Sequence, residues 1–205
     1  MAVSSVKGIL RNKWFYCDHL GATEKDADDV LSFSVRDPEI AGGLANYLQN
    51  HAFEDEANNA MRTYLVRDYQ TDELVGYFSI KSGMVSLNER EIEDEEGNVQ
   101  KTFDTVPGIE IANFAINNSF VLKHSEWKGL GVMIFDSFIR PLASQVASIS
   151  GTMLLYIFAL PFDSLIDQYR KAYRFLRLEK SEEDDLHRRL KPFYDQSCIF
   201  MYQLL

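Results

Sequence analysis

Between Trp127 and Gly131 the chain reads Trp-Lys-Gly-Leu-Gly, with an apolar strand-like run, Ile109 to Ile116, before it and an amphipathic stretch after it. A strand that passes into a helix through glycines leaves the first N–H groups of the helix without intrahelical acceptors. Those donors sit at the positive end of the helix dipole, so they suit a phosphate. The backbone of Lys128, Gly129, Leu130, Gly131 and Val132 is therefore the first candidate for binding chemistry. His124, in the polar linker before the turn, is placed either to touch a phosphate or substrate or to be an ordinary surface histidine. Tyr169 and Tyr173 are four residues apart and share a face of a helical segment. The two cysteines, Cys17 and Cys198, lie at opposite ends of the chain. They form neither a disulfide framework nor a zinc spacing, so no metal site is expected.

Composition narrows the class. A chain of 205 residues buries a full core without disulfides or metals. The first residues contain no continuous apolar core of a signal peptide, and no apolar run approaches a membrane span. The expectation is a cytoplasmic protein with no membrane association. The net charge of −10 is uneven. Glu89 to Glu96 holds six carboxylates against Arg90 alone, and Glu182, Glu183, Asp184 and Asp185 form a second cluster. The remainder is nearly neutral, whereas a nucleic-acid binder presents a basic surface. The acidic run reads as a solvated loop, or as a lure for a cationic amine or a basic partner.

The elements that would position the turn follow from periodicity. Residues 1–29 read as a loosely regular leader packed on the main domain by Trp14 and Phe15, and residues 30–205 as that domain. Val30 to Val35 has the β-branched and aromatic content of a short strand. Asp37, Pro38 and Glu39 give a capped helix start, with the helix running to about Asn50 and on toward Ala60. Thr63 to Val66 and Leu74 to Ile80 read as a hairpin, the second strand reaching as far as Leu87. Residues 88–99 are a charged excursion, either a mobile loop or a solvated hairpin. A polar linker joins Ile116 to the glycine turn. The following helix carries Val132, Phe135, Phe138, Ile139, Leu142 and Val146, and Pro141 kinks or divides it. Thr152 to Leu160 is a central strand covered on both faces. A helix over Ser164 to Tyr173, a strand start at Phe175, a partly helical acidic excursion over 181–190 and a final strand, Cys198 to Leu204, complete a mixed α/β order.

That order, with its glycine turn after the fourth strand, resembles the GNAT superfamily of acetyl-CoA-dependent N-acetyltransferases. The family motif is Gln or Arg, two residues, Gly, one residue, then Gly or Ala, and it falls on Glu126-Trp127-Lys128-Gly129-Leu130-Gly131. Both glycines match; Glu126 replaces the Gln or Arg, and an acid beside a pyrophosphate is unfavourable unless it points away. The layout is similar to a subgroup of small bacterial GNAT proteins that includes toxins acetylating aminoacyl-tRNA.

The resemblance implies a mostly antiparallel mixed sheet flanked by helices, its central strands splayed to admit the cofactor acetyl-CoA. Trp127 to Val132 would hold the pyrophosphate. Phe114, Ala115 and Ile116 would pair with the pantetheine arm, and an N–H of that strand would stabilise the tetrahedral oxyanion. The acceptor amine attacks directly. The family's general acid is a tyrosine in a segment like FYEKxGF, which puts Tyr169 first and Tyr173 in reserve, with Arg174 where the family has glycine. Glu110 is the candidate base, with a backbone-held water relay as the alternative. The acceptor is a small-molecule or peptide amine. Nucleic acid is expected only as charged tRNA, in the toxin reading, and a non-catalytic acyl-CoA-binding module is the other rival. Many members of the family are homodimers.

Overall fold

The computed structural model describes residues 8–190 and 197–205; the first seven residues of the expected leader lie outside them. The strands are β1 (Leu10–Arg11), β2 (Phe15–His19), β3 (Arg62–Asp68), β4 (Leu74–Glu93), β5 (Val99–Ile116), β6 (Leu154–Ala159), β7 (Leu176–Arg177) and β8 (Ile199–Leu204). The helices are α1 (Asp26–Leu31), α2 (Pro38–Asn50), α3 (Ala52–Ala57), α4 (Asn118–Lys123), α5 (Leu130–Ile134), α6 (Arg140–Ser150), α7 (Asp163–Lys171) and α8 (Lys180–Arg189). The sheet is mixed and mostly antiparallel, with helices flanking it. Two compact units divide the chain: Met1–Lys81 with Ile111–Leu142, and Ser82–Glu110 with Ala143–Leu205.

In the first unit the strand order is β1-β2-β3-β4-β5. Val30, Phe33, Leu48, Leu65 and Tyr77 form its core beneath α1 and α2. The stretch expected as a loose leader supplies β2, paired along its whole length with β3 from Phe15↔Asp68 to His19↔Tyr64. The strand expected over Val30 to Val35 does not form. Buried Asp26 accepts from Gly21 N at 2.8 Å and Thr23 Oγ1 at 2.7 Å, starting a short helix that takes in Val30 and Leu31. The backbone of the next residues is satisfied by distant side chains: Gln49 Nε2 donates to Phe33 O and Ser34 N to Asn117 Oδ1. Asp37 caps α2 as expected, accepting from Ile40 N.

Buried Arg67 ties the first unit together. Its guanidinium meets Asp26 at 2.7 Å, the carboxylate of Asp29, and Asp72 O at 3.2 Å. An ion cluster this deep is tolerated only because most of its donors are matched.

The linker after Ile116 is helical, a second departure. Asn117 caps α4 by accepting from Ser119 N, and burial of Phe120 holds the helix in place. The expected break at Pro141 takes a specific form. Residues Phe135–Ile139 make a π turn directly before α6. Proline has no N–H for the carbonyl four residues back and its ring crowds that carbonyl, so the preceding turn widens. Asn12 Nδ2 donates to Ser137 Oγ in that turn at 3.1 Å.

In the second unit the order is β4-β5-β6-β8-β7. β6 is buried at every residue, as its apolar run requires. Its core joins Val85, Leu154, Phe158, Leu186 and Phe200. Residues 88–99 are the solvated-hairpin alternative: β4 and β5 continue through them to a turn where Asp94 Oδ1 accepts from Glu96 N and Asn98 N. The acidic segment after β7 is the helix α8, and Arg189 at its end lies 4.6 Å over the Phe103 ring. No helix among the described residues is long and apolar enough to cross a membrane.

Candidate active site

In the first unit the glycine turn has the predicted form. Gly129 is the N-cap of α5 at φ 68°, ψ 26°, the left-handed region, and a side-chain carbon there would meet nothing within 4 Å. The requirement for glycine is thus conformational, and it leaves open space above the first turn of the helix. Gly131 lies inside α5, so the left-handed demand falls on Gly129. Leu130 is buried and pins the helix start, while Lys128 and Gly129 are exposed. The Trp127 ring is packed 4.9 Å from Phe15 and 5.8 Å from Trp14, so this residue anchors the turn to β2. First-turn N–H donors, an exposed cation and an open left-handed glycine fit a phosphate group.

The neighbouring strand has a definite polarity. Asn117 N donates to Val75 O at 2.9 Å, and a carbon on Gly76 would lie 2.7 Å from Ala115 O. Backbone groups alternate along a strand, so Ala115 faces β4 while the backbone groups of Phe114 and Ile116 point to the opposite edge. The parallel register of β5 with β6 runs from Gly108↔Leu154 to Glu110↔Tyr156, and β5 continues to Ile116.

Beside the turn stands a cluster that the sequence did not bring together. Glu73 accepts from Lys123 Nζ at 2.7 Å and lies 2.6 Å from His124 Nε2. His124 Nδ1 is 3.5 Å from Glu126 Oε1. The Lys123 ammonium, then His124, hold the Glu73 carboxyl down to about 2. The hydrogen bond to Glu73 raises the His124 imidazole above its ordinary value. Glu73 is fifty residues away in sequence, and only the hairpin hints at its position.

In the second unit Tyr169 and Tyr173 are both buried, their rings 5.3 Å apart, and Phe175 packs on Tyr169 at 5.6 Å. Tyr173 Oη accepts from Gln168 Nε2 at 3.1 Å, and its carbonyl accepts from the Gln203 amide. Arg174, where the resemblance calls for glycine, has φ 64°. Glu110 is buried and takes a hydrogen bond from Tyr156, whose hydroxyl is pushed well above its ordinary value by burial and then by that carboxylate. A carbon on Gly83 would lie 1.9 Å from Tyr156 Oη, and one on Gly108 2.7 Å from its ring. Tyr156 was legible only as an apolar-strand residue; the signal for its slot was the pair of glycines inside strands. Among the described residues no group of three or more His, Cys, Asp or Glu is placed to hold a metal ion.

No protein-family profile matches the chain. Solved structures do. AtaT complexed with acetyl-methionyl-tRNAfMet superposes with a TM-score of 0.62 at 12% identity, covering 93% of this chain and 94% of that one. A KacTA–DNA complex gives 0.60 at 15% identity, over 93% and 92%. A tyrosine-to-phenylalanine mutant of the AtaT toxin, bound to the C-terminus of the antitoxin AtaR and acetyl-CoA, gives 0.57 at 14% identity, over 93% and 92%. At such identities the likeness is one of fold, and it spans nearly the whole of each chain. The chain shares the GNAT fold with these structures.

Proposed function

We propose that the chain is an acetyl-CoA-dependent N-acetyltransferase whose acceptor is the amino group of a charged tRNA. The observation that carries the cofactor assignment is the left-handed Gly129 at the head of α5, with open space above it. The acceptor assignment draws on the fold shared with AtaT, a toxin solved with acetyl-methionyl-tRNA.

Acetyl-CoA, when bound, supplies an acetyl group activated as a thioester. Backbone N–H groups from Lys128 to Val132 hold its pyrophosphate. The outward edge of Phe114 and Ile116 pairs with the amide-rich arm as an added strand would. An N–H on that edge would be the donor available to the thioester oxygen. Tyr169 Oη would be the proton donor for the leaving thiolate, and Tyr173, its hydroxyl already accepting from Gln168, supports the packing of Tyr169. The Glu110 carboxylate, oriented by Tyr156, would take a proton from the acceptor's ammonium, directly or through water, so that the neutral amine attacks.

A small-molecule or peptide amine is the second reading, and the net charge of −10 favours it, because a tRNA enzyme gains most of its affinity from neutralised phosphates. Transfer of labelled acetyl groups to a panel of charged tRNAs, polyamines and peptides separates the two. Label on the aminoacyl moiety of tRNA supports the proposal; label on free amines alone replaces it with the second reading. Acetyl-CoA binding without transfer to any amine leaves a non-catalytic binding module. Tyr169→Phe is expected to lower kcat roughly 100-fold with unchanged cofactor affinity. An unchanged rate would move the acid to Tyr173 or to water.

A further inference from the structure

Glu126 stands three residues before Gly129, and a carboxylate there opposes the binding of any phosphate at the head of α5. The structure contains a device that answers this. Both ring nitrogens of His124 face carboxylates: Nε2 lies 2.6 Å from Glu73 Oε2 and Nδ1 3.5 Å from Glu126 Oε1. A neutral imidazole carries one N–H and can donate to only one of them, whereas an imidazolium donates to both. His124 is also built into the turn. Its carbonyl accepts from Trp127 N at 3.1 Å, its own N–H donates to Phe120 O, and its ring lies 4.3 Å from Phe120. Phe120 in turn meets Phe15, the residue that holds Trp127.

We infer that His124 is a proton-linked positioning residue for the anion site: as imidazolium it spans Glu73 and Glu126 and keeps the Glu126 charge off the Gly129 turn. The charged groups around it are Glu73, ahead of β4, Lys123 on α4, and Glu126 on the turn itself. With His124 protonated the four charges cancel. When the proton leaves, the cluster carries one net negative charge, and Glu126 loses its partner beside the phosphate site. Occupancy of the site therefore weakens as pH rises above 6.5, because Glu73 and Glu126 stabilise the cation and carry its titration upward. This inference rests on the acetyl-CoA reading of the turn.

The test is the Kd of coenzyme A measured calorimetrically from pH 6 to pH 9 for the native chain and four variants, with the His124 imidazole, where present, titrated by NMR in the same samples. In the native chain Kd is expected to rise about threefold through the His124 titration, the effect of one unit charge at a partly screened distance. His124→Lys keeps the charge and should bind tightly with no such step. His124→Gln should bind weakly at every pH, and Glu126→Gln should bind tightly without the step. Glu73→Gln should lower the NMR titration point of His124. A step of equal size in the native, His124→Lys and Glu126→Gln proteins would overturn the inference while leaving the cofactor reading intact. No coenzyme A binding by any of the five proteins at any pH would overturn the cofactor reading itself, and the inference with it.

Discussion

Arg174 shows how a single residue can be read against its backbone. It adopts φ 64°, a left-handed conformation that costs an L-residue roughly 1–2 kcal/mol. Glycine recovers that cost but adds entropy to the unfolded chain, so Arg174→Gly is expected to stabilise the protein by about 0.5–1 kcal/mol. A shift of the urea midpoint at constant slope measures it; a destabilised variant would mean that the Arg174 side chain holds something its backbone does not reveal. Ionisation at Glu73 and His124 gives a second prediction at this scale. Glu73 titrates near 2 in the fold against an ordinary 4.5, so its stabilisation is complete above 4.5 and lost as pH falls toward 2. His124 titrates above its ordinary 6.5, so its contribution is complete below 6.5 and lost as pH rises past its folded value. Stability from this cluster is therefore greatest between about 4.5 and 6.5. His124→Gln is expected to flatten the alkaline side of the urea-midpoint profile, and a profile of unchanged shape would contradict the pairing. Gly129 was legible from sequence because its demand is local, set by a strand, a turn and a helix start. Glu73 and Tyr156 were not, because their partners are reached only through strand pairing over tens of residues.

At the scale of elements, the contest between local pattern and distant partners decides which segments adopt the structure their own residues favour. The α2 cap, the β3–β4 hairpin, the buried β6 and the closing β8 all carry their instructions locally, and each forms. The run Val30 to Val35 has strand-like residues, yet its backbone is claimed by Gln49 and Asn117 and its first residues by a helix that Asp26 starts. The linker after Ile116 looked polar because Asn117, Asn118 and Ser119 precede Phe120; those same residues are the cap and first turn of α4. Glycine within β4 carries a testable packing claim. Gly83→Ala places a methyl against Tyr156 Oη and is expected to cost about 1–3 kcal/mol. Combining it with Tyr156→Phe removes the obstructing oxygen, so the double variant should lose about 1 kcal/mol less than the sum of the single variants. Strict additivity in denaturant unfolding would show that the slot closes by another route.

For the whole molecule, charge and fold pull in different directions. The chain shares its fold with toxins solved with acetyl-CoA and with an acetylated initiator tRNA, yet it carries a net charge of −10. The acids are concentrated in two short runs, Glu89 to Glu96 in the arm of β4 and β5 and Glu182 to Asp185 in α8, the second partly offset by Lys180, Arg188 and Arg189 of the same helix. If tRNA is the acceptor, its binding should show a shallower salt dependence than a broadly basic enzyme would, because fewer phosphates are neutralised. A steep slope of apparent KM against salt would place basic contacts where the sequence balance does not suggest them. Beneath the question of acceptor lies the claim on which the functional account depends, that the Gly129 turn holds the pyrophosphate of acetyl-CoA. Calorimetric titration of coenzyme A into the native chain and into Gly129→Val tests it most directly. The position is left-handed and open, so the variant strains the backbone and also places a side chain in the space proposed for the phosphate. Saturable binding by the native chain, weakened at least about tenfold or 1.4 kcal/mol in the variant, is the predicted result. Absence of binding by the native chain, or equal affinity in the two proteins, would contradict it.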